Sequence, residues 1–312
     1  MNLQQLEYLL ELNKQRNYKS AAEKLFITQP ALTIQIKNLE EELGVTIFDR
    51  SKKPIIPTEI GEVLIEQSRI IIKEINRLKD IVSQSQKKLS GNLRIGIIPT
   101  VAPYLVPFFI NKFIKEYPEI QLEIKEIVTE DIISALKENV LDAGIIVTPF
   151  DVQGMKTFPL FYEDLFAYTS QNHTLYKKKK ISSYEISLDD VWLLKEGNCF
   201  RNQVINICSA KKRKNSSKYF YYESHSIDAL MKIVDTREGM TIIPELALGN
   251  LSKEKNSMVK QFDDFYPQRE VSLIVQRNHL KKNMIDAFKE LIKHSIPRKM
   301  LKQKGELVST KA

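Results

Sequence analysis

Two cysteines, Cys199 and Cys208, stand in a chain of 312 residues, both within the stretch KEGNCFRNQVINIC at 195–208. A free cysteine is most often a small buried hydrophobe, so an inert pair is the plain reading. The other reading is that of a thiolate, the form that attacks peroxides and disulfides. Cys199 follows a Gly-Asn turn and opens an expected helix, which sets its sulfur at the positive end of the helix dipole, with Arg201 close in sequence. Both features favour thiolate over thiol. Asn198 or Asn202 can add a hydrogen bond. Cys208 lies nine positions further on. Along a helix that is ~13 Å of rise and half a turn, whereas a disulfide needs Cα atoms within about 7 Å. The two sulfurs can meet only if the segment unwinds.

Other chemistries find less support. His173, His225, His279 and His294 are scattered, and with two cysteines nine apart they form no zinc-ligand pattern, so neither metal nor cofactor is expected. There is no C-x-x-C, no phosphate-binding glycine loop and no G-x-S-x-G elbow. His225, ahead of the SIDAL segment, could face the cleft but reads first as a structural histidine, and Trp192 as core. The start of the chain lacks a signal-peptide pattern, and no apolar run nears the roughly 20 residues that span a bilayer. A cytoplasmic protein with no membrane partner is expected, in a compartment where structural disulfides are rare and a redox-active pair is more informative.

The elements that must hold these residues follow from composition and period. At 43% hydrophobic the chain can bury a sizeable core in two or three domains. Net charge is +8, which favours a polyanionic partner without locating it. Residues 1–90 carry 14 Lys and Arg against 12 Asp and Glu, and the basic runs lie later, at 177–180, 211–214 and 298–304. Those runs read as solvated loops. Leu3, Leu6, Leu9 and Leu10 mark one helix face, Ala21, Ala22 and Leu25 a second, and Leu32, Ile36, Leu39 and Leu43 a third. Thr28 is a candidate N-cap, Pro30 sits early in the third helix, and Gly44 supplies its stop. Residues 45–57 suggest a hairpin with a basic turn. A long helix from Thr58 to about Lys88 spaces Leu64, Ile71, Ile75, Leu78 and Val82 as a seam for a second helix.

After SGN at 90–92 the pattern becomes strand, loop, helix: LRIGII, PTVAPYLVPFFINKFIKEY, IQLEIKEIV, TEDIISALKENV, AGIIV. A second set follows, with expected strands DLFAYTS, VWLLK, YFYYES and GMTIIP, then VSLIVQ and a last helix from Asn283 to His294. Such alternation argues for an open α/β architecture of two lobes joined by crossing strands, with a ligand cleft at the strand ends.

Two short helices joined by a tight turn, the second polar on its outer face, make a helix-turn-helix. Thr28, Gln29, Thr33 and Lys37 fall where base or backbone contacts would, and Arg50, Lys52 and Lys53 on the hairpin would hold phosphates. By periodicity alone a plain helical bundle competes evenly. NLQQLEYLLEL, SAAEKLFITQPALTIQIKNLEEELGVTIFDR and PTEIG resemble the winged helix-turn-helix of LysR-type transcriptional regulators nearly position by position, apart from Ile60, where alanine is usual. The resemblance implies an all-α N-terminal part with a winged helix-turn-helix at 1–60, a dimerising linker helix at 61–90, and a two-lobed α/β, periplasmic-binding-protein-like effector domain at 91–312. Lobe I would take about 91–161 and 268–302, and lobe II 162–267. It also implies a homodimer assembling to a homotetramer on pseudo-palindromic double-stranded DNA, and contact with RNA polymerase.

Together with LRIGIIPTVAPYLVP at 93–107, the cysteine stretch resembles the peroxide-sensing branch of that family. This resemblance implies that Cys199 is peroxidatic and Cys208 resolving, that Thr100 and Thr129 bind hydrogen peroxide, and that Arg269 steadies the site. The expected function is a transcription activator of oxidative-stress genes, switched by a Cys199–Cys208 disulfide and reset by glutaredoxin or thioredoxin. Those members have histidine before the reactive cysteine, and here Asn198 stands there, able to hydrogen-bond but not to titrate near neutrality. Two alternatives remain: a regulator answering a small metabolite between the lobes, and a thiol peroxidase with a DNA-binding appendage. The last ranks low, because a sensor must stay oxidised long enough to be read, so no enzyme is expected.

Overall fold

A computed structural model describes residues 1–85, 89–149, 152–208, 222–279 and 281–311. It divides into two compact units, 1–87 and 88–312.

In the first unit, helices α1 (Leu3–Gln15), α2 (Tyr18–Lys24) and α3 (Gln29–Leu43) each begin on a side-chain cap: Asn2, Asn17 and Thr28. These oxygens take up amide groups that the first turn leaves without partners, worth about 1 kcal/mol each. Gly44 ends α3 at φ 69°. Leu9, Leu12, Ala21, Ala22, Leu32, Ile36 and Leu39 are fully buried or nearly so and close a small core; each buried Leu or Ile contributes roughly 1.5–3 kcal/mol. The expected hairpin is present as β1 (Phe48–Asp49) antiparallel to β2 (Ile56–Pro57). Glu40 of α3 fastens it, accepting hydrogen bonds from the Ile47 and Phe48 amides at 2.8 and 3.2 Å. Helix α4 (Glu59–Ser85) runs 27 residues. At its start a Cβ on Gly61 would lie 2.1 Å from the Ile47 carbonyl oxygen, so only glycine lets the helix lie this close to the wing.

The second unit is built on β3 (Gly91–Ile97), α5 (Ala102–Glu116), β4 (Ile120–Glu126), α6 (Thr129–Lys137), β5 (Ala143–Thr148) and β6 (Met155–Thr169). Then come β7 (Lys180–Ile181), α7 (Cys199–Ile207), α8 (Ile227–Thr236), β8 (Met240–Pro244), β9 (Val259–Phe262), β10 (Pro267–Gln276), α9 (Lys282–Ser295) and β11 (Glu306–Leu307). The sheet runs β4-β3-β5-β10-β6-β9-β7, with β8 on β6 and β11 on β10. β3 is parallel to β4 and β5, and β10 runs antiparallel between β5 and β6. β6 changes partners along its length: 155–164 pair with β10 and 165–169 with β8. One long strand therefore joins both halves of the α/β architecture.

Two expected strands need comment. VWLLK makes only an isolated bridge, Val191 to Met240, because the chain there supplies one rung and then turns into the loop before Cys199. Trp192 is only partly buried and donates its indole N–H to the Glu238 carbonyl. The first half of YFYYES and the whole basic run at 211–214 lie outside the described residues, as does the side chain of Val82.

Candidate functional site

A turn with Gly197 at φ 88° delivers the chain into α7, and Cys199 is the first residue of that helix, half-buried. The loops that follow β3 and β4 face it. Ile98, Pro99 and Thr100 come from the first, Val128 and Thr129 from the second, and with Asn198, Cys199 and Phe200 they enclose a cavity of about 10 Å³. That volume is the scale of a single water molecule. Two parallel strand ends thus meet a helix N-terminus, an arrangement suited to a small polar or anionic group.

Thr129 Oγ1 lies 3.5 Å from the Cys199 sulfur. Thr100 is held from behind by Arg269, whose Nη1 donates to its hydroxyl oxygen at 3.1 Å and whose Nη2 donates to its carbonyl at 2.9 Å. Arg269 is 1% exposed, and it faces Glu163 directly across the β6–β10 ladder, with Nε to Oε1 at 2.7 Å. Its guanidinium also lies 4.8 Å from the centre of the Phe200 ring. Burial pushes the Glu163 carboxyl above its usual range, and the Arg269 charge beside it works against that shift. The Leu246 amide fills the other carboxylate oxygen.

Asn198 does not point its amide at the cysteine. Its Nδ2 donates to the Lys195 carbonyl at 2.7 Å and lies 2.9 Å from His225 Nδ1. His225, for which the sequence favours a structural role over one facing the cleft, is a neighbour of Asn198, reached from 27 positions away. Arg201 also departs from expectation: its Nη1 donates to the Leu194 carbonyl at 2.9 Å and its Nη2 sits 3.8 Å from Glu196, so it braces the loop before Cys199. Asn202 spends its amide on the Thr310 carbonyl, donating at 3.0 Å. Tyr104 of α5 donates to Asp228 of α8 at 2.7 Å, and burial together with that carboxylate pushes its phenol well up, so it stays a donor.

Cys208 caps the far end of α7 and is 1% exposed. Burial pushes its thiol up to about 12. The cysteines stand nine positions apart at the two ends of α7, ~13 Å along the axis. Among the described residues no group of His, Cys, Asp and Glu is arranged to hold a metal ion.

In the first unit Thr28 accepts from the Ala31 amide as N-cap, and Gln29, Pro30 and Lys37 are exposed along the start and outer face of α3. Thr33 donates back to the Gln29 carbonyl, and Lys37 pairs with Glu41 at 3.3 Å. Arg50 pairs with Glu40 at 2.5 Å, while Lys52 and Lys53 are exposed on the wing. Phe26, in the turn before α3, is 96% exposed at φ 55°, and neither helical period nor charge singles it out.

Residues 3–62 match the family model for the lysR family of bacterial regulatory helix-turn-helix proteins, and residues 86–296 match the LysR substrate binding domain. The chain belongs to the LysR family. It is a DNA-binding transcription regulator with an N-terminal helix-turn-helix and a LysR substrate-binding domain. This LysR-family chain is 29% identical over 276 residues to the hydrogen peroxide-inducible genes activator of Haemophilus influenzae, covering 88% of this chain and 90% of that one. It is 28% identical over 294 residues to the regulator EstR of Acinetobacter baylyi, covering 94% and 96%. A full-length OxyR variant from Pseudomonas aeruginosa superposes with a TM-score of 0.75 at 27% identity, covering 95% of this chain and 99% of that one. Identity of this order does not by itself select an effector. The cavity and the cysteines must do so.

Proposed function

We propose that this LysR-family protein senses hydrogen peroxide through Cys199 and passes the signal to DNA by closing a Cys199–Cys208 disulfide. The observation that carries the reading is a half-buried cysteine at a helix N-terminus, facing Thr129 across a cavity of about 10 Å³. A cavity of that size suits a molecule little larger than water and is too small for a metabolite of typical pocket volume, about 300 Å³ or more. Likeness to hydrogen peroxide-inducible activators and to OxyR structures supports the same choice.

In this reading the Cys199 thiolate attacks one peroxide oxygen, the O–O bond breaks, and the departing hydroxide takes a proton to become water. Thr100, whose oxygen already accepts from Arg269, has its own proton left to donate toward the cavity, and Thr129 steadies the sulfur. The product is a sulfenic acid. In its folded surroundings the Cys208 thiol, pushed up to about 12, is a poor nucleophile near neutral pH. Unwinding of α7 brings it to solvent and within reach; its sulfur then displaces the sulfenic oxygen as water, and the disulfide forms. Residues 1–60 would bind double-stranded DNA through α3 and the wing, 61–90 would pair two copies, and 91–312 would carry the switch. Tetramer formation, engagement of RNA polymerase and reduction by glutaredoxin or thioredoxin complete the proposed cycle.

The test is mass analysis of reduced, anaerobic protein given one equivalent of hydrogen peroxide, with thiol alkylation and peptide mapping. An internal Cys199–Cys208 disulfide that is lost in Cys199→Ser is expected, along with different footprints of the two redox forms on one DNA site. Two thiols that remain alkylatable would return the choice to a ligand-responsive regulator.

A further inference from the structure

The helix that must unwind is held along its length by a segment more than 100 residues further on, at separations of 103 to 108 positions. Three amide side chains on α7 reach the same short stretch: Asn202 Nδ2 donates to the Thr310 carbonyl at 3.0 Å, and Gln203 Nε2 to the Val308 carbonyl at 2.9 Å. Asn206 Nδ2 donates to the carbonyls of Ser309 and Lys311 at 3.0 and 2.8 Å. The stretch is itself anchored. β11 pairs with the start of β10, the Val308 amide donates to the Gln268 carbonyl at 2.9 Å, and the Thr310 hydroxyl to the Pro149 carbonyl at 2.8 Å. Val308 and Thr310 are buried at 7% and 5% exposure. Gln203 is fully buried, and among the described residues its side chain is engaged through its donor, Nε2. The Gln268 backbone that receives Val308 directly precedes Arg269, which holds Thr100.

Deepening the proposed peroxide reading, we infer that residues 306–311 are a strap that positions α7, holding Cys199 at the cavity and Cys208 away from it. Asn202, Gln203 and Asn206 are the positioning residues. The strap leaves attack on peroxide untouched, because its contacts fall at 202–206, beyond the residues of α7 that line the cavity, Cys199 and Phe200. It governs the second step, since every turn of α7 that opens must first give up a hydrogen bond to the strap. Sulfenic acid forms at the rate set by the cavity, and its condensation with Cys208 waits on undocking.

The experiment is rapid mixing of reduced full-length chain with hydrogen peroxide, following sulfenic acid by dimedone trapping and disulfide by quenched alkylation. Asn206→Ala removes two hydrogen bonds at an exposed position that folding tolerates, and it should speed the disulfide step about three- to tenfold with sulfenic acid formation within twofold of wild type. Asn206→Gln, which keeps the donor, should restore most of the delay. A chain ending at residue 304 should close faster still, and a synthetic peptide of residues 305–311 added in trans should slow it again. Equal disulfide rates in wild type, Asn206→Ala and the shortened chain overturn the strap while leaving the peroxide reading standing. A wild-type chain that forms sulfenic acid and never a disulfide overturns both.

Discussion

Cys208 is chemically the more constrained of the two thiols. Its folded value lies above the ordinary 9.0, at about 12, because burial disfavours the thiolate. A group raised on folding stabilises below its unfolded value and loses that contribution as pH climbs toward the folded one. The window is therefore pH 9 to 12. At pH 10 wild type should have lost ~1 kcal/mol relative to Cys208→Ala, compared with their difference at pH 8. Urea unfolding midpoints of the two proteins at both values measure this, and a pH-independent difference would mean that the sulfur is hydrated. Chemistry gives a second check: Cys208→Ser should accumulate the Cys199 sulfenic acid after peroxide and blunt the transcriptional response, and an unchanged response would show that one thiol is enough. Legibility at this scale was uneven. Thr100 and Thr129 follow strands in the sequence, and their placement at the cavity agrees with that position. His225 beside Asn198, and Arg201 turned to the Leu194 carbonyl, are tertiary facts that local spacing does not encode.

At the scale of elements, the Arg269–Glu163 pair ties β10 to β6 and supports Thr100 at once. Removing one partner strands a buried charge. Arg269→Met should therefore cost about 3–5 kcal/mol, and joining it with Glu163→Leu should recover much of that loss. Thermal melts of the two singles and the double form the cycle; additive losses would mean that the pair is not coupled. The helices of the first unit were readable from their apolar period and, for the third, from its cap at Thr28; the caps Asn2 and Asn17 of the other two carried no such reading. The wing was readable as a hairpin, but the role of Glu40 in fastening it was not. VWLLK was misread for a physical reason: apolar residues at 191–194 pack against the core from a loop, and burial alone does not make a ladder. The strap at 306–311 carries no periodic signal, since its bonds are made by backbone carbonyls.

For the whole molecule, the two units demand different measurements. On α4, Leu78 is 64% exposed, Val63 63% and Ile70 46%, an apolar face that a soluble single helix would not keep bare. Leu78→Glu should lower the mass seen by sedimentation toward that of the monomer and weaken DNA binding with it; an unchanged mass would move the dimer contact elsewhere. On the wing, Lys52→Ala and Lys53→Ala should each reduce the slope of log affinity against log salt by about 1, whereas a change in sequence preference alone would assign them to base reading.

The strap on α7 has a thermodynamic reverse. Coupling between two equilibria is symmetric, so whatever factor the docked segment takes from disulfide closure, closure must take from docking. The last few residues before position 312 are then a reporter of the oxidation state of a sulfur 100 residues upstream, and anything that captures those residues will draw the protein toward its oxidised form without touching a cysteine.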